Sequence, residues 1–538
     1  MTRMVPHVVV IGGGLAGLAA ATELRTNGLR VTLVERNHHL GGKMNVLTER
    51  GFTFDMGPTI LTMPHVLRGI IQRSGRRTRD CIDLVRLDPQ WRCMYEDGTT
   101  VDLLGDVAAM AASLDRQFPI SHGAGSVGDS WRRFIEYSRR MYRLSERVFF
   151  YKDIGGIGDM MRTRPPAELA LLRDIAAMRM HSTMAGTAQR WVREPHLLQL
   201  CEHFLQYVGS SPFLAPAILT LIAAAQVDHG CWYAMGGTRM VARALENILR
   251  EGESADCTII TGTGVRQIVH DGRLATGVEL DDGRRLDADA VISNCDVQRT
   301  YRSLLQGPAA KREEQRIAER FTPACSGVVL YLGLKRQYDH LLHHDFLFSR
   351  DSHREFDDIY GRGEPASDPS LYLCVPSRTD AAQAPKGCEA LYILVHTPYL
   401  RRHHDWERSG GMFAGYRETI ISKLKRFGME DIEERIVVER HLTPTSIERM
   451  YSAEAGAIYG LASHGRLGGG FKPRNRSRVV KNLYLAGGSA NPGPGVPMVL
   501  MSGVTAAWSL LEDMGVAVKA RHASDTEPRE EVACLALH

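Results

Sequence analysis

The opening of the chain narrows its possible folds more than any other feature. His7–Ile11 is a short Val-rich run, and Gly12-Gly13-Gly14-Leu15-Ala16-Gly17 follows it directly. Leu18–Arg25 then reads as a helix, and a second apolar run, Arg30–Val34, ends in Glu35. The order is strand, glycine turn, helix, strand, acid. Gly12 allows the tight turn, Gly14 lets backbone approach a pyrophosphate at the helix N-terminus, and Gly17 lets the helix pack close to the strand. Glu35 lies where a carboxylate accepts the ribose hydroxyls of an adenosine, which favours a 2′-hydroxyl over a 2′-phosphate. The pattern predicts an α/β, Rossmann-like domain that binds an adenine dinucleotide.

Size and composition fit that start. A chain of 538 residues with 44% hydrophobic and 24% charged residues is globular, with two or three domains expected. The net charge of +4 gives no case for nucleic-acid binding. The basic runs Arg76–Arg79 and Lys472–Arg478 read as solvated surface, with phosphate or headgroup contact as the alternative. Ten cysteines occur without a Cys-x-x-Cys pair, so structural zinc, iron–sulfur and disulfide frameworks are not expected. The cysteines read as small buried hydrophobes in a reducing compartment. His343-His344 and His403-His404 are adjacent pairs, which seldom converge on one ion, and no metal is expected. The glycines after Val8–Ile11 speak against a signal peptide. The longest near-apolar stretch, Phe213–Val227, is interrupted by Pro216, Thr220 and Gln226, too short and too broken to span a bilayer.

A second glycine pair and a base, Gly41-Gly42-Lys43, follow Glu35-Arg36. A turn there can bring backbone to the pyrophosphate or a flavin ribityl chain, which NAD enzymes rarely need. This stretch resembles the extended FAD motif of amine-oxidase-like flavoproteins. Gly51-Phe-Thr-Phe-Asp55-Met-Gly57-Pro58-Thr59 is similar to the bacterial carotenoid (phytoene) desaturase family, which includes oxygenase and ketolase members. So is the C-terminal block, a strand Asn482–Ala486, then Gly487-Gly488-Ser489, then Gly495-Val496-Pro497 opening a helix. Small residues there let backbone approach a flat ring, and a helix start offers amide donors where a reduced flavin gathers charge. One departure is Gly488-Ser489-Ala490-Asn491, where desaturases often carry Gly-Thr-His.

The resemblance covers almost the whole chain and implies an FAD-binding domain of the amine-oxidase/phytoene-desaturase type. An inserted mixed-sheet substrate domain and a helical membrane-facing region accompany it. The expected division is 1–100, 230–300 and 471–517 for the FAD-binding parts, 101–229 for the helical region, 301–470 for the substrate domain and 518–538 for a polar tail. The implied cofactor contacts are Gly12, Gly14, Gly17, Glu35, Arg36, Gly42, Lys43, Val265 (by its backbone, to adenine), Gly487, Gly488, Gly495, Val496 and Pro497. Asp55 is the one candidate catalytic side chain, with structural capping as its alternative. The implied function is FAD-dependent desaturation of a C30 or C40 polyene. Alternatives are terminal oxygenation, another flavin-dependent polyprenoid or amine oxidation, and lipid carriage without catalysis. A bilayer-dissolved substrate implies a cytoplasmic protein docked on the inner membrane through the apolar residues 197–225, with quinone or oxygen reoxidising the flavin.

Overall fold

The computed structural model describes residues 5–118, 125–156, 158–159, 178–179, 181–251, 256–466 and 468–518. The tail beyond Val518 lies outside the described residues.

A parallel five-stranded sheet is assembled from three distant stretches of sequence. Its order is Leu483–Leu485, Ala290–Ser293, His7–Ile11, Arg30–Glu35, Cys257–Thr261. Val8, Val9 and Val10 are completely buried at its centre, as an unbroken apolar strand covered on both faces must be. Helix Leu15–Thr26 packs on one face and is crossed by helix Val496–Asp513. The crossing is unusually close: a β-carbon on Gly503 would stand 2.1 Å from the Ala16 carbonyl oxygen. The Ala-rich surface Ala19-Ala20-Ala21 and the small residues Gly503, Ala506 and Ala507 permit that approach. A three-stranded antiparallel meander, Val265–His270, Ala275–Leu280, Arg285–Asp287, follows the edge strand.

The second large element is a mixed seven-stranded sheet. Its order is Ile436–Leu442, Ser326–Leu334, Glu389–Thr397, Leu371–Cys374, His344–Leu347, Trp91–Met94, Thr100–Leu103. All neighbours are antiparallel except His344–Leu347 and Trp91–Met94, which run parallel. Strands Ser326–Leu334 and Glu389–Thr397 are buried at every residue. Alternation sorts their side chains into two cores. Val328, Leu330 and Leu332 meet Ile420, Ile421 and Leu424 of helix Met412–Arg426, while Val329 and Tyr331 belong to the opposite core. The hairpin Trp91–Leu103, which begins inside the first hundred residues, joins the second sheet.

The apolar stretch 197–225 is not one long helix. Helix Pro195–His203 passes into a 3-10 turn, Phe204–Val208, that ends at Gly209. Pro216 precedes a second 3-10 turn, Ala217–Thr220, and helix Leu221–His229 follows. Proline lacks an amide donor, so it sits at the element's start and divides the run. Leu197, Leu200, Phe204, Leu205 and Ala223 are fully buried, so most of the run proposed for membrane docking is core. Leu214, at 45% exposure, is the large apolar residue that projects from it. No helix among the described residues is long and apolar enough to cross a membrane.

The helix crossing gives a direct test. Gly503→Ala should lower the urea unfolding midpoint, with a loss of about 1–3 kcal/mol, because the added methyl meets backbone that cannot move aside. Gly415→Ala, on helix Met412–Arg426 where the new β-carbon meets nothing within 4 Å, should leave the midpoint unchanged or raise it. Equal effects of the two substitutions would refute the close-contact account.

Candidate active site

One cavity of about 670 Å³ begins at the carboxyl ends of the parallel strands and extends to the seven-stranded sheet. That volume is in the range of cofactor and ligand sites. At its first end two glycine turns meet. Gly41 donates its amide to the Gly13 carbonyl at 2.8 Å, and a β-carbon on Gly42 would lie 3.2 Å from Gly14 Cα. Gly12, at φ 90°, occupies the left-handed region that favours glycine.

Glu35 is 6% exposed and held by backbone. Its Oε2 accepts the Gly13 amide and its Oε1 the Asn37 amide, each at 2.8 Å. Each oxygen keeps a further lone pair for a ribose hydroxyl. Helix Leu15–Thr26 starts at Gly14 with no side-chain cap, and helix Val496–Asp513 starts at Gly495, also uncapped. Both N-termini border the same cavity, through Gly14, Leu15 and Ala16 and through Gly495, Val496 and Val499. Uncapped first-turn amides are unsatisfied donors that suit a pyrophosphate or an electron-rich carbonyl.

Eleven of the expected contacts line the cavity: Gly12, Gly14, Glu35, Arg36, Gly42, Lys43, Val265, Gly487, Gly488, Gly495 and Val496. Gly17 and Pro497 do not. A β-carbon on Gly17 would stand 2.0 Å from the Gly12 carbonyl oxygen, so this glycine serves helix–strand packing. Pro497 lies in the first turn of its helix. Lys43 is turned into the wall, where Nζ donates to the carbonyls of Ile458 at 2.8 Å and Ala457 at 3.3 Å. Burial brings its pKa down to about 8, opposed by the nearby Asp296 carboxylate. Arg36 donates to Ser452 Oγ and to the carbonyls of Met450 and Arg449.

Asp55 lies behind the wall that Met56 and Gly57 line. Its Oδ1 accepts the amide of Thr238, the residue that opens helix Arg239–Arg250, at 2.9 Å. Asp380 accepts the Gly236 amide at 2.9 Å. The two carboxyl groups thus fasten the segment Tyr233–Thr238. Burial pushes the Asp55 carboxyl up to about 6, against the hydrogen bonds from Thr238.

The far end of the cavity was not anticipated from sequence. Trp91, Tyr207, Phe346, Tyr372 and Tyr392 line it, with His203 and His396 among them. Burial lowers the two imidazoles to about 3 and about 4, so both are neutral at pH 7. His396 Nε2 is 3.3 Å from the Tyr459 hydroxyl. Among the described lining residues, those from the seven-stranded sheet and the turn after helix Pro195–His203 include no carboxylate, lysine or arginine. The charged lining residues, Glu35, Arg36, Lys43, Arg266, Asp281, Asp296 and Arg299, come from the dinucleotide domain. Alternation along the apolar runs Leu371–Cys374 and Glu389–Thr397 is the sequence signal that points Tyr372, Tyr392, Leu394 and His396 to one face. Asn294, whose Nδ2 donates to the Gly12 carbonyl at 3.3 Å, lines the dinucleotide end of the cavity.

This architecture, two glycine turns and two uncapped helices around one cavity with a mixed sheet beyond, is that of a flavin-dependent oxidoreductase. The chain belongs to the flavin-containing amine oxidoreductase family, whose model matches residues 15–511. It is 36% identical over 508 residues to a 4,4′-diapolycopene oxygenase of Methylomonas sp, covering 94% of this chain and 98% of that protein. It is 35% identical over 496 residues to a 4,4′-diaponeurosporene oxygenase of Staphylococcus haemolyticus, covering 92% and 95%. Among solved structures, an oxidoreductase from Methanosarcina mazei superposes with a TM-score of 0.60 at 18% identity, covering 94% of this chain and 100% of that one. Putrescine oxidase bound to putrescine superposes with a TM-score of 0.60 at 16% identity, covering 95% and 99%. These two likenesses establish the fold.

Replacing Glu35 by Ala should weaken flavin retention roughly tenfold to a hundredfold, the cost of losing charge-assisted hydrogen bonds. Flavin absorbance per protein after gel filtration reads this, and retention equal to wild type would contradict the assigned role.

Asp55 gives a pH dependence. Its carboxyl binds a proton more tightly folded, at about 6, than at its ordinary value of 3.8. The folded state therefore holds more protons between these values, and this group's contribution to stability falls as pH rises from about 4 to 6, by up to about 3 kcal/mol. Asp55→Asn should flatten that part of the profile of thermal midpoint against pH, and an unchanged slope would exclude Asp55 as its source.

Proposed function

We propose that the protein binds FAD and oxidises a terminal methyl group of an acyclic carotenoid. The observation that carries this reading is the uncharged, aromatic far wall of the cavity, continuous with the flavin cradle. A polyene offers no ion to pair and needs a long apolar surface with the reacting end held at the ring. An amine substrate is cationic and would call for a carboxylate on that wall. The sequence pointed first to desaturation. The relatives matched over more than nine-tenths of the chain are named as oxygenases of diapolycopene and diaponeurosporene, which favours the terminal oxidation that stood second.

When bound, FAD would supply the electron-accepting ring. Glu35 would receive the adenosine ribose and Val265 the adenine edge. The amides opening Leu15–Thr26 would meet the pyrophosphate, and those opening Val496–Asp513 the pyrimidine carbonyl of the flavin. Conversion of a methyl to an aldehyde consumes one O₂ and releases one water, which balances without a further reductant. The neutral His203 and His396 can donate a hydrogen bond to an oxygen placed on the substrate, while the aromatic rings exclude water. Asp55, tied to Thr238, holds the wall in place. A substrate dissolved in the bilayer brings the protein to the cytoplasmic face of the inner membrane, and the projecting Leu214 marks where contact begins.

The test is the pigment profile, by chromatography with mass detection, of cells making diapolycopene or diaponeurosporene and expressing this chain. Products that gain one oxygen and lose two hydrogens are expected. Loss of hydrogens alone, with longer-wavelength absorption, would return the assignment to desaturation, with a quinone or oxygen taking the electrons. Unchanged pigments in C30 and C40 backgrounds, with flavin retained, would refute both.

A further inference from the structure

Neighbouring residues on a strand point to opposite faces, so His343 and His344 are not expected to meet. His343, however, precedes the strand His344–Leu347, and its ring turns back against its neighbour with centroids 4.4 Å apart at 69°. Across the antiparallel ladder His344 stands in register with Cys374. One ring nitrogen of each histidine and the Cys374 sulfur all lie within 4.8 Å of one another. His343 is 2%, His344 1% and Cys374 1% exposed.

The hydrogen bonds around the two rings are an independent observation. His343 Nδ1 lies 2.6 Å from Thr379 Oγ1, and His344 Nδ1 lies 2.9 Å from the Tyr372 hydroxyl. The Tyr372 oxygen is in turn 2.6 Å from Thr59 Oγ1. Both Nε2 atoms are buried without a partner. A proton on Nδ1, donated to the hydroxyl, leaves the lone pair on Nε2. Metal-bound histidines are oriented in this way, with the second nitrogen donating to a fixed oxygen. Buried polar atoms are otherwise almost always satisfied.

We propose that His343, His344 and Cys374 bind a single Cu(I) ion. A thiolate and two imidazoles are a soft, three-membered donor set suited to copper. The thiol gives up its proton to solvent as the Cu–S bond forms, and the monovalent ion and the thiolate then cancel, which suits a buried position. Zinc would leave a net positive charge and seeks a fourth ligand. The nearby carboxyl groups are committed, Asp380 to the amides of Gly236 and Ala382 and the side chain of Gln383, and Asp55 to Thr238. Metal–ligand bonds of roughly 2.0–2.3 Å require the three donors, all within 4.8 Å of one another, to draw together by at most about 1 Å. Tyr372, which orients His344, also lines the large cavity, so the ion sits in its wall. The second cluster, Glu364, His403 and His404, lies toward the surface, and its imidazoles already bond Glu364 and the Gly363 carbonyl, so it carries no comparable site.

The flavin-loaded full chain should be titrated anaerobically with Cu(I) buffered by a chromogenic chelator, and retained copper measured by elemental analysis after desalting. One copper per chain is expected, with an X-ray absorption spectrum showing one sulfur and two imidazole scatterers. Cys374→Ser and His344→Phe should each weaken retention by on the order of a hundredfold or more, and Tyr372→Phe, which removes the orienting hydroxyl, by roughly tenfold to a hundredfold. Flavin absorbance and thermal midpoint report whether each variant folds, and the spectrum of the wild-type protein stands without them. Copper lost to the chelator, copper held without a sulfur scatterer, equal retention by folded Cys374→Ser, or preferential retention of zinc would each overturn the proposal.

Discussion

The close approach of backbone to backbone around helix Leu15–Thr26 is the constraint from which the rest of the structure follows. On one side Gly17 meets the Gly12 carbonyl, and on the other Gly503 meets that of Ala16, at separations that admit no β-carbon. These contacts set the depth of the helix against the parallel sheet, and so the position of its free amides at the cavity. They also fix helix Val496–Asp513, whose N-terminus faces the same space. Dispersion between such closely packed backbones is strong in sum, and the small residues that permit it give up little side-chain entropy.

From that fixed end the cavity changes character. Charge is confined to the dinucleotide domain, where Glu35, Lys43 and Asp296 are held by backbone or by each other. Beyond it the mixed sheet supplies rings and two neutral imidazoles. A low-polarity compartment next to uncapped helix ends strengthens whatever electrostatic interactions those amides make with a bound group. It also makes an uncompensated charge at the sheet-side wall unfavourable.

The cofactor end was legible from sequence because its residues are contiguous and chemically restricted. A glycine that must lack a β-carbon, and an acid that must close a strand, cannot be replaced without breaking the pattern, and most of these residues line the cavity. Gly17 and Pro497 show the limit: a motif member can serve packing or begin a helix without reaching the site. In the second sheet only Ser326–Leu334, Leu371–Cys374 and Glu389–Thr397 were legible as apolar runs with clear ends, three of its seven strands. The aromatic wall was not. Trp91, Tyr207, Tyr372 and Tyr392 are remote in sequence and ordinary as core residues, and the sheet order together with the packing of the 3-10 turn Phe204–Val208 brings them together. The apolar run 197–225 misled for a related reason. Hydrophobicity reports burial without saying whether protein or lipid provides it, and here protein covers most of the run. The adjacent histidines were set aside because neighbours seldom converge on one ion; His343 meets His344 because it precedes the strand that His344 begins.

The five-stranded sheet has a consequence for biosynthesis. Its central strand is His7–Ile11, while one edge strand is Leu483–Leu485 and the closing helix runs to Asp513. A nascent chain therefore carries the glycine turns for most of its synthesis with no wall opposite them. The cradle closes only after the last strand and helix leave the ribosome. A polypeptide that stalls before residue 483 would present an apolar, half-covered sheet to chaperones and proteases.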